Sequence, residues 1–501
     1  MASVLAIVVE IVVFAVLVRR LDAAAYGMFI VASGLAGQFA FLDFGLGRGL
    51  ERFLPGFRAG GREADVPRAL TFVLGLHLVV GVGIALLIAA FALLGGAELL
   101  ADENAEAMVR LLLLAALFAL PLWPLRCLES ALVGLDRLPL QALVQAGATL
   151  VRGGWLVAAS VSGMAVETLL IGALGVEVLA GVLRWFLVAA EIRGPVLVLD
   201  ARVRPVGREL FDYSLWVGIQ RFVISVSNGF DRLVVSAFLG PAAVPVYWIC
   251  MRVIRIVPGT IGTIGKRAVM PIAAELQSTG GDASVHDLVR RGTRVYVAAI
   301  FVVIALLVVY AEPVLAALGG ATVAALAWAC QASLLLQAPV ISRGVLMQAS
   351  IIKTETARDS AFVGVVLAVL HVVLLALAAD AGALGAAILS WSVAHVLLAP
   401  WWIHRMAHHI GLPVGEFYGA ALRGGWPGAL LVLLHVPFIG QLASAPVAVT
   451  IIAAGVSALV ALGAAWFLGI DAASRRALLA RALRSGDAAS ADPGVGQTEH
   501  R

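Results

Sequence analysis

Apolar blocks of about 20 residues recur along almost the whole 501-residue chain. Each block is long enough to cross the roughly 30 Å hydrocarbon core of a bilayer as a helix. Hydrophobic residues make up 62% of the chain and charged residues 13%, a balance that excludes an ordinary water-facing globular surface. Because a backbone in lipid must satisfy its own hydrogen bonds, the pattern predicts an all-α, multi-pass membrane protein.

Polar connections between the apolar blocks divide the chain into about fourteen predicted transmembrane helices. The first block is expected to be a span rather than a signal peptide, because no positively charged flank precedes it. The predicted spans are 2–18, 26–47, 69–95, 109–134, 141–163, 165–190, 210–238, 244–268, 294–318, 323–348, 359–379, 382–403, 417–438 and 447–469.

Lysines and arginines are concentrated in alternate connections, which predicts the orientation of the chain. The opposite connections contain few basic residues, and segment 97–108 is acidic. The basic side is therefore predicted to be cytoplasmic, and the net charge of +4 reflects topology rather than binding of nucleic acid. The predicted cytoplasmic arginines and lysine are Arg48, Arg52, Arg58, Arg62, Arg68, Arg193, Arg202, Arg204, Arg208, Lys266, Arg267, Arg290, Arg291 and Arg294.

Cysteine and histidine spacing gives no indication of a metal or a disulfide. Cys127, Cys250 and Cys330 fall inside predicted spans without paired spacing. His404 and His408 are four residues apart, but they lie at a helix end with no third ligand nearby in the sequence. No cofactor is expected.

A degenerate internal repeat relates two loops that each follow two spans. Pro55 corresponds to Pro271 and Gly60 to Gly280, at offsets of 216 and 220 residues. An offset of six spans gives both copies the same orientation, so we expect two pseudo-symmetric six-helix lobes around a central cavity. The predicted organisation is an N-lobe at 1–191, a cytoplasmic linker at 192–209, a C-lobe at 210–403, two extra helices at 404–470 and a partly disordered cytoplasmic tail at 471–501.

Several arginines lie inside predicted spans, where contact with lipid would be costly. In the seventh span, Arg221, Asn228 and Arg232 share one helical face with Asp231 beside it, and the eighth span adds a pair three residues apart. These intramembrane arginines are Arg126, Arg152, Arg184, Arg221, Arg232, Arg252, Arg255 and Arg343.

Two interpretations of these arginines remain open. They could form structural ion pairs, for instance Asp231 with Arg232 or Arg255, or Arg126 with Glu129. Alternatively, because arginines outnumber acids in the seventh and eighth spans, an anion completes the charge balance, and a guanidinium suits phosphate. The second interpretation predicts a cationic substrate site containing Arg221, Asn228, Arg232, Arg252 and Arg255.

Three stretches carry a resemblance to a known family. RRLDAAAYG (19–27), FLDFGLGRGLERFLPGF (41–57) and the segment 231–276 resemble polysaccharide transporters, the O-antigen flippase branch of the multidrug, oligosaccharidyl-lipid and polysaccharide exporter superfamily. The sequence departs from the usual pattern at Leu21–Ala23, where the family commonly has Leu-Gly-Pro.

The resemblance implies a flippase that moves a polyprenyl-diphosphate-linked oligosaccharide across the bacterial cytoplasmic membrane by alternating access, for surface polysaccharide biosynthesis. Asp43, Arg52 and Asp231 match family positions for which it implies gating or pairing roles. The expected partners are the lipid-linked oligosaccharide, membrane lipids, a coupling ion (H⁺ or Na⁺), and glycan-assembly proteins such as a polysaccharide polymerase.

Two other classes of function stay open. A lipid II flippase or multidrug antiporter would share the fold, although the arginine excess argues against a site for cationic drugs. A membrane glycan polymerase or ligase would be an enzyme, and such enzymes usually carry a large external loop, which the predicted spans do not leave room for. The sequence therefore favours a transporter that is not an enzyme.

Overall fold

The computed structural model describes most of the chain, and in that part every regular element is helical. The described residues are 2–192, 195–211, 214, 230–256, 269, 272–273, 276, 281–350, 354–435, 438, 441, 445, 447–472 and 475–476.

Six of the first eight helices follow the predicted spans to within a few residues at most ends, and the other two are shorter helices that correspond to no separate predicted span. A short 3₁₀ segment, Phe39–Asp43, separates the second helix from the third. The helices are α1 (Ala2–Arg20), α2 (Ala23–Gln38), α3 (Leu46–Ala59), α4 (Asp65–Phe91), α5 (Ala97–Ala101), α6 (Ala105–Gly134), α7 (Leu138–Val161) and α8 (Val166–Ile192).

The second half continues the helical pattern. Its helices are α9 (Asp231–Leu239), α10 (Ala243–Ile256), α11 (Gly281–Val309), α12 (Ala311–Ala324), α13 (Ala327–Ser342), α14 (Gly344–Ser350), α15 (Thr354–Asp380), α16 (Leu384–His409), α17 (Val414–His435) and α18 (Val447–Ala464).

Among the described residues, seven helical stretches are long and apolar enough to cross a membrane. A bent pair, 311–324 with 327–350, raises this number to eight if the pair forms one span. Many large apolar side chains on these helices are exposed, as membrane-facing surfaces require. The all-α membrane fold is thus established, and the count of fourteen spans stays a prediction.

The predicted spans depart from the structure at two main places. The predicted span 294–318 is divided between α11, which runs from Gly281 to Val309, and α12, which begins at Ala311. The other departure is a break after α2. The sequence suggested one span over 26–47, but the apolar helix ends at Gln38. Phe44 and Gly45 then adopt positive φ angles of 50° and 76°, which no right-handed helix accommodates. The chain resumes as the amphipathic α3, whose Leu46, Leu50 and Leu54 are fully buried.

The chain forms two compact units, and the first comprises Met1–Arg252, Val314–Cys330 and Ala361–Ala394. A large apolar cluster in this unit joins α3, α4 and α6 around Leu50, Leu70 and Leu128. Close packing requires Gly134, because a Cβ there would lie 2.7 Å from the Leu50 carbonyl oxygen. This cluster fixes the amphipathic α3 against two membrane helices.

The second unit comprises Val253–Pro313, Gln331–Ser360 and His395–Arg501. Its central contact joins α11 to α17 through small residues, as is common between membrane helices. A Cβ at Gly424 would overlap the Arg294 carbonyl oxygen, and one at Gly428 would lie 2.7 Å from that of Phe301. Glycine at these positions lets the two backbones approach.

The predicted linker contacts the start of α4. Arg68 forms an ion pair with Asp200 at 2.7 Å, and the backbone N–H of Val198 donates to the Thr71 hydroxyl at 2.9 Å. The hydrogen bond from the Arg68 guanidinium stabilises the charged carboxylate, so the pKa of Asp200 is lowered below its ordinary value.

One part of the predicted repeat can be compared directly. Gly61 lies shortly before α4 and Gly281 is the first residue of α11, and these helices are the third spans of the two predicted copies. Both glycines have left-handed φ angles, 70° and 67°. Pro271 and Gly280 lie outside the described residues. The two-lobe organisation and its boundaries remain a prediction.

Candidate functional site

A polar cavity lies inside the first unit, among α1, α2, α6, α7, α8 and the α9–α10 pair. It has two neighbouring chambers of about 370 and 290 Å³, whose walls share Ser33, Arg152 and Glu177. We call it the arginine cavity, after the five arginines in its walls: Arg126, Arg152, Arg184, Arg232 and Arg252.

The walls carry more positive than negative charge. Against the five arginines stand three carboxylates, those of Glu10, Glu129 and Glu177. With all eight groups ionised, two positive charges remain in excess. A polar chamber of this kind is an environment that intramembrane arginines need, and its charge favours an anion.

Arg184 is the most informative of the five, because neutral groups hold it. Its side chain projects from α8 and the residue is only 5% exposed. Its Nε donates to Gln141 Oε1 at 2.9 Å and a terminal nitrogen donates to Gln145 Oε1 at 2.7 Å. The two glutamines are four residues apart on α7 and so share one face. Amide oxygens orient the guanidinium without neutralising its charge.

Two further arginines lie around the first chamber. Arg152 on α7 approaches Glu177 on α8 at 3.5 Å, and both side chains are partly exposed. The guanidinium carbon of Arg126 lies 5.8 Å from the centroid of the buried Trp123 ring, a cation–π distance. The chamber thus contains guanidinium groups with remaining hydrogen-bonding capacity.

The second chamber brings together two residues that the sequence predicted as a site. Arg232 on α9 and Arg252 on α10 line it with Arg152. A terminal nitrogen of Arg252 forms an ion pair with Glu10 of α1, with the side chains 36% and 29% exposed. Partial exposure leaves this pair accessible to a competing anion.

Among the described residues, the arginine cavity contains none of the other predicted substrate-site residues. Arg255 lies three positions after Arg252 on α10 and is not among the residues of the cavity wall that the structure describes. Arg221 and Asn228 lie outside the described residues. Their part in a site therefore stays a prediction.

Asp43, predicted as a gating or pairing residue, lies beside a buried histidine. Its Oδ1 is 2.9 Å from His77 Nε2, and the residues are 7% and 1% exposed. The backbone N–H of Gly47 donates to the Asp43 carboxylate at 3.3 Å, which joins the break after α2 to the start of α3. Arg52 lies on α3, with its guanidinium carbon 5.7 Å from the Phe53 ring centroid.

Asp231 opens α9 and is 3% exposed. Its Oδ1 accepts a hydrogen bond from the backbone N–H of Arg232 at 2.9 Å, and its Oδ2 accepts one from the Tyr247 hydroxyl at 3.3 Å. The carboxylate therefore ties α9 to α10, next to the second chamber.

Sequence reasoning missed part of this constellation. Arg126, Arg152 and Arg184 were recognised as intramembrane arginines but were not assigned to a site. Glu10 and Glu177 were not singled out, and neither was the glutamine pair on α7. The four-residue spacing of Gln141 and Gln145 on an apolar helix was the available signal.

The described residues contain no group of three or more histidine, cysteine, aspartate or glutamate side chains that could hold a metal ion.

Comparison with known proteins gives a family and a fold. A family model described as "Polysaccharide biosynthesis protein" matches residues 1–277, more than half of the chain. A comparison with curated proteins finds no match.

Two solved membrane proteins show the same fold at low identity. The lipid II flippase MurJ in an inward closed conformation is similar with a TM-score of 0.63 and 13% identity, covering 92% of this chain and 96% of that one. A multidrug resistance MATE family transporter of the MOP superfamily, in an inward-facing conformation, gives 0.63 and 15%, covering 80% and 94%.

Proposed function

The chain belongs to the family of polysaccharide biosynthesis proteins, and we propose that it is a flippase for a polyprenyl-diphosphate-linked oligosaccharide in the bacterial cytoplasmic membrane. The arginine cavity binds the diphosphate, and the polyprenyl tail stays in lipid. The protein works by alternating access and is a transporter rather than an enzyme.

The observation that carries this proposal is the environment of Arg184. A buried guanidinium is usually held by a carboxylate, because an uncompensated charge in the membrane is costly. Here two amide oxygens at 2.9 and 2.7 Å hold it instead. The cavity keeps its charge excess while orienting the group, as a site for an anionic ligand requires.

A diphosphate fits this chemistry. Guanidinium groups donate paired hydrogen bonds to phosphate oxygens and are less strongly hydrated than ammonium groups. A diphosphate brings at least two negative charges, which balance the two positive charges in excess. The ligand thus offsets the excess positive charge of the cavity wall, and this lowers the cost of moving the head group through the membrane.

Alternating access needs a ligand that binds two conformations differently. We propose that the Glu10–Arg252 pair links α1 to α10 in the empty cavity, and that the diphosphate competes with Glu10 for this guanidinium. Asp43 lies at the break after α2 and Asp231 at the start of α9, where changes in backbone angle can be absorbed, and we assign gating or pairing roles to these two residues and to Arg52 on α3. A coupling ion (H⁺ or Na⁺) and contacts with a polysaccharide polymerase belong to the same proposal.

The experiment is export of surface glycan in cells whose flippase gene is replaced by variants, with membrane levels measured alongside. Arg184→Ala and Arg252→Ala should lose most export, because each removes a charge-assisted hydrogen bond, worth about 10- to 100-fold in ligand affinity. Arg184→Lys should recover part of it as a point charge. Arg204→Ala, an exposed arginine on helical residues 203–211, is the matched control.

Arg221→Ala and Arg255→Ala test the predicted residues in the same assay. Normal export by Arg184→Ala and Arg252→Ala, singly and together, would refute the role of the arginine cavity. Polymerised glycan made by the purified protein would favour an enzyme, and efflux of cationic drugs would favour a multidrug antiporter.

A further inference from the structure

A second arginine-rich pocket lies in the second unit, at the start of α17. Its volume is about 630 Å³, and the arginine cavity contributes none of its residues. The pocket is lined by Arg290, Arg291, Arg294, Gly415, Glu416, Gly419, Ala420, Arg423 and Asp471. Three of its arginines, at 290, 291 and 294, belong to the set predicted to be cytoplasmic.

The charges of this pocket leave a small positive excess. Arg290 and Arg291 both pair with Asp287, at 2.7 and 2.8 Å. Glu416 and Asp471 are the two carboxylates in the wall. Four arginines against three carboxylates leave one positive charge, which matches a phosphodiester with its single negative charge.

Two glycines keep the pocket open. A Cβ built at Gly415 or at Gly419 would meet no atom within 4 Å, so side chains of ordinary size would project into empty space. The pocket also lies at the N-terminal turn of a 22-residue helix, α17, where the helix dipole favours negative charge. Open space, guanidinium groups and a helix start therefore converge at one place.

The same face of α17 is apolar beyond the pocket. Trp426, Leu430 and Leu433 follow Gly419 and Arg423 at spacings of three and four residues, which places all five on one side of the helix. The three apolar side chains are 43%, 40% and 68% exposed. The opposite side, with Gly424 and Gly428, packs on α11.

The geometry points to an occupant with a charged head and an apolar tail. From Arg423 to Leu433 the helix rises about 15 Å, which is half of the roughly 30 Å hydrocarbon core, the depth of one leaflet. We propose that this pocket binds the phosphodiester headgroup of an anionic glycerophospholipid of the cytoplasmic leaflet. Its acyl chains lie along the apolar stripe of α17.

The test uses the purified full-length protein, titrated with phosphatidylglycerol or phosphatidylcholine and observed by native mass spectrometry. Wild type should form a one-to-one adduct with phosphatidylglycerol in preference to phosphatidylcholine. Arg423→Gln should weaken it about tenfold by removing one charge-assisted contact. Gly419→Leu should weaken it similarly by filling the pocket without changing charge, and Gly415→Leu is the alternative if that variant does not fold.

Matched controls separate this site from general lipid contact. Arg204→Gln removes one exposed arginine elsewhere, and Gly455→Leu adds a leucine on α18 where a Cβ also meets open space. Both should bind phosphatidylglycerol as wild type does. Equal binding of the two phospholipids, or unchanged binding by Arg423→Gln and Gly419→Leu, would overturn the proposal.

A third titration, with undecaprenyl diphosphate, distinguishes a resident phospholipid from the transported class of lipid. Displacement of phosphatidylglycerol by this lipid at lower concentration would assign the pocket to the substrate and overturn the proposal. The titrations measure lipid binding and the earlier assay measures glycan export, so the two proposals fail independently. Failure of the phospholipid titrations does not affect the proposal for the arginine cavity, and normal export by the arginine-cavity variants does not affect the proposal for the phospholipid pocket.

Discussion

Replacing Gln145 by glutamate separates an anion site from structural scaffolding. The substitution keeps the acceptor oxygen that receives the Arg184 hydrogen bond at 2.7 Å, but it adds a negative charge. The positive excess in the arginine cavity falls from two charges to one. If Arg184 only holds helices together, its new ion pair leaves transport intact.

The magnitude follows from the position of the new charge. A phosphate oxygen on the far side of the Arg184 guanidinium would lie about 6 Å from the introduced carboxylate, which gives a repulsion of about 3 kcal/mol at an effective dielectric constant of about 20. This corresponds to roughly a hundredfold loss of affinity for the diphosphate head group. The folded protein should not lose stability, because a neutral acceptor becomes a charged one.

The assay compares glycan export, membrane level and melting temperature in detergent for wild type, Gln145→Glu and Gln145→Leu. We expect Gln145→Glu to melt no lower than wild type while export falls sharply. Gln145→Leu should melt at a lower temperature than wild type, because Arg184 loses one hydrogen-bond acceptor. The positive excess of two charges in the arginine cavity is unchanged in this variant. Normal export by a well-expressed Gln145→Glu protein would refute the reasoning.

Three further predictions concern other contacts. Glu10→Gln removes the ion-pair partner of Arg252 and raises the positive excess in the arginine cavity to three charges. Binding of polyprenyl diphosphate, measured by ligand titration, should tighten, and glycan export should slow because the ligand is released more slowly. Unchanged affinity would count against competition between Glu10 and the diphosphate for Arg252. Asp200→Asn should lower the melting temperature at pH 7, and the difference from wild type should shrink as the solution is acidified. The Arg68 guanidinium holds the pKa of Asp200 below its usual value, so the stabilising effect is fully present above the unfolded-state pKa and is lost as the pH falls through the lowered one; a difference that does not change on acidification would contradict this. Gly428→Val should destabilise the α11–α17 contact by about 1 to 3 kcal/mol, since its Cβ would lie 2.7 Å from the Phe301 carbonyl oxygen, whereas Gly455→Val should melt like wild type.

The helical architecture was largely readable from the sequence. Hydrophobic periodicity and length placed a span at 165–190, and the structure has α8 at Val166–Ile192. The same rule misplaced the end of the second span, because Phe39–Gly45 is apolar enough to continue a helix. The turn there depends on positive φ angles at Phe44 and Gly45, which hydropathy does not report.

The sequence also indicated that intramembrane arginines need a polar environment, but it could not give their partners. Local spacing offered Arg126 with Glu129 as one ion pair, and in the structure the Arg126 guanidinium lies over the Trp123 ring. Arg184 meets glutamines of the preceding helix, and Arg252 meets Glu10, more than 200 residues earlier in the sequence.

What the sequence determined by itself is the membrane location, the helical class and the presence of costly charges in the spans, because each follows from local composition against the energetics of lipid. What only the tertiary structure decided is which of those charges share a cavity. Helical periodicity gives the face on which Arg184 lies, but the rotation and separation of packed helices place Gln141 and Gln145 opposite it. That arrangement depends on contacts distributed along whole helices, such as those at Gly134, and no single segment contains them.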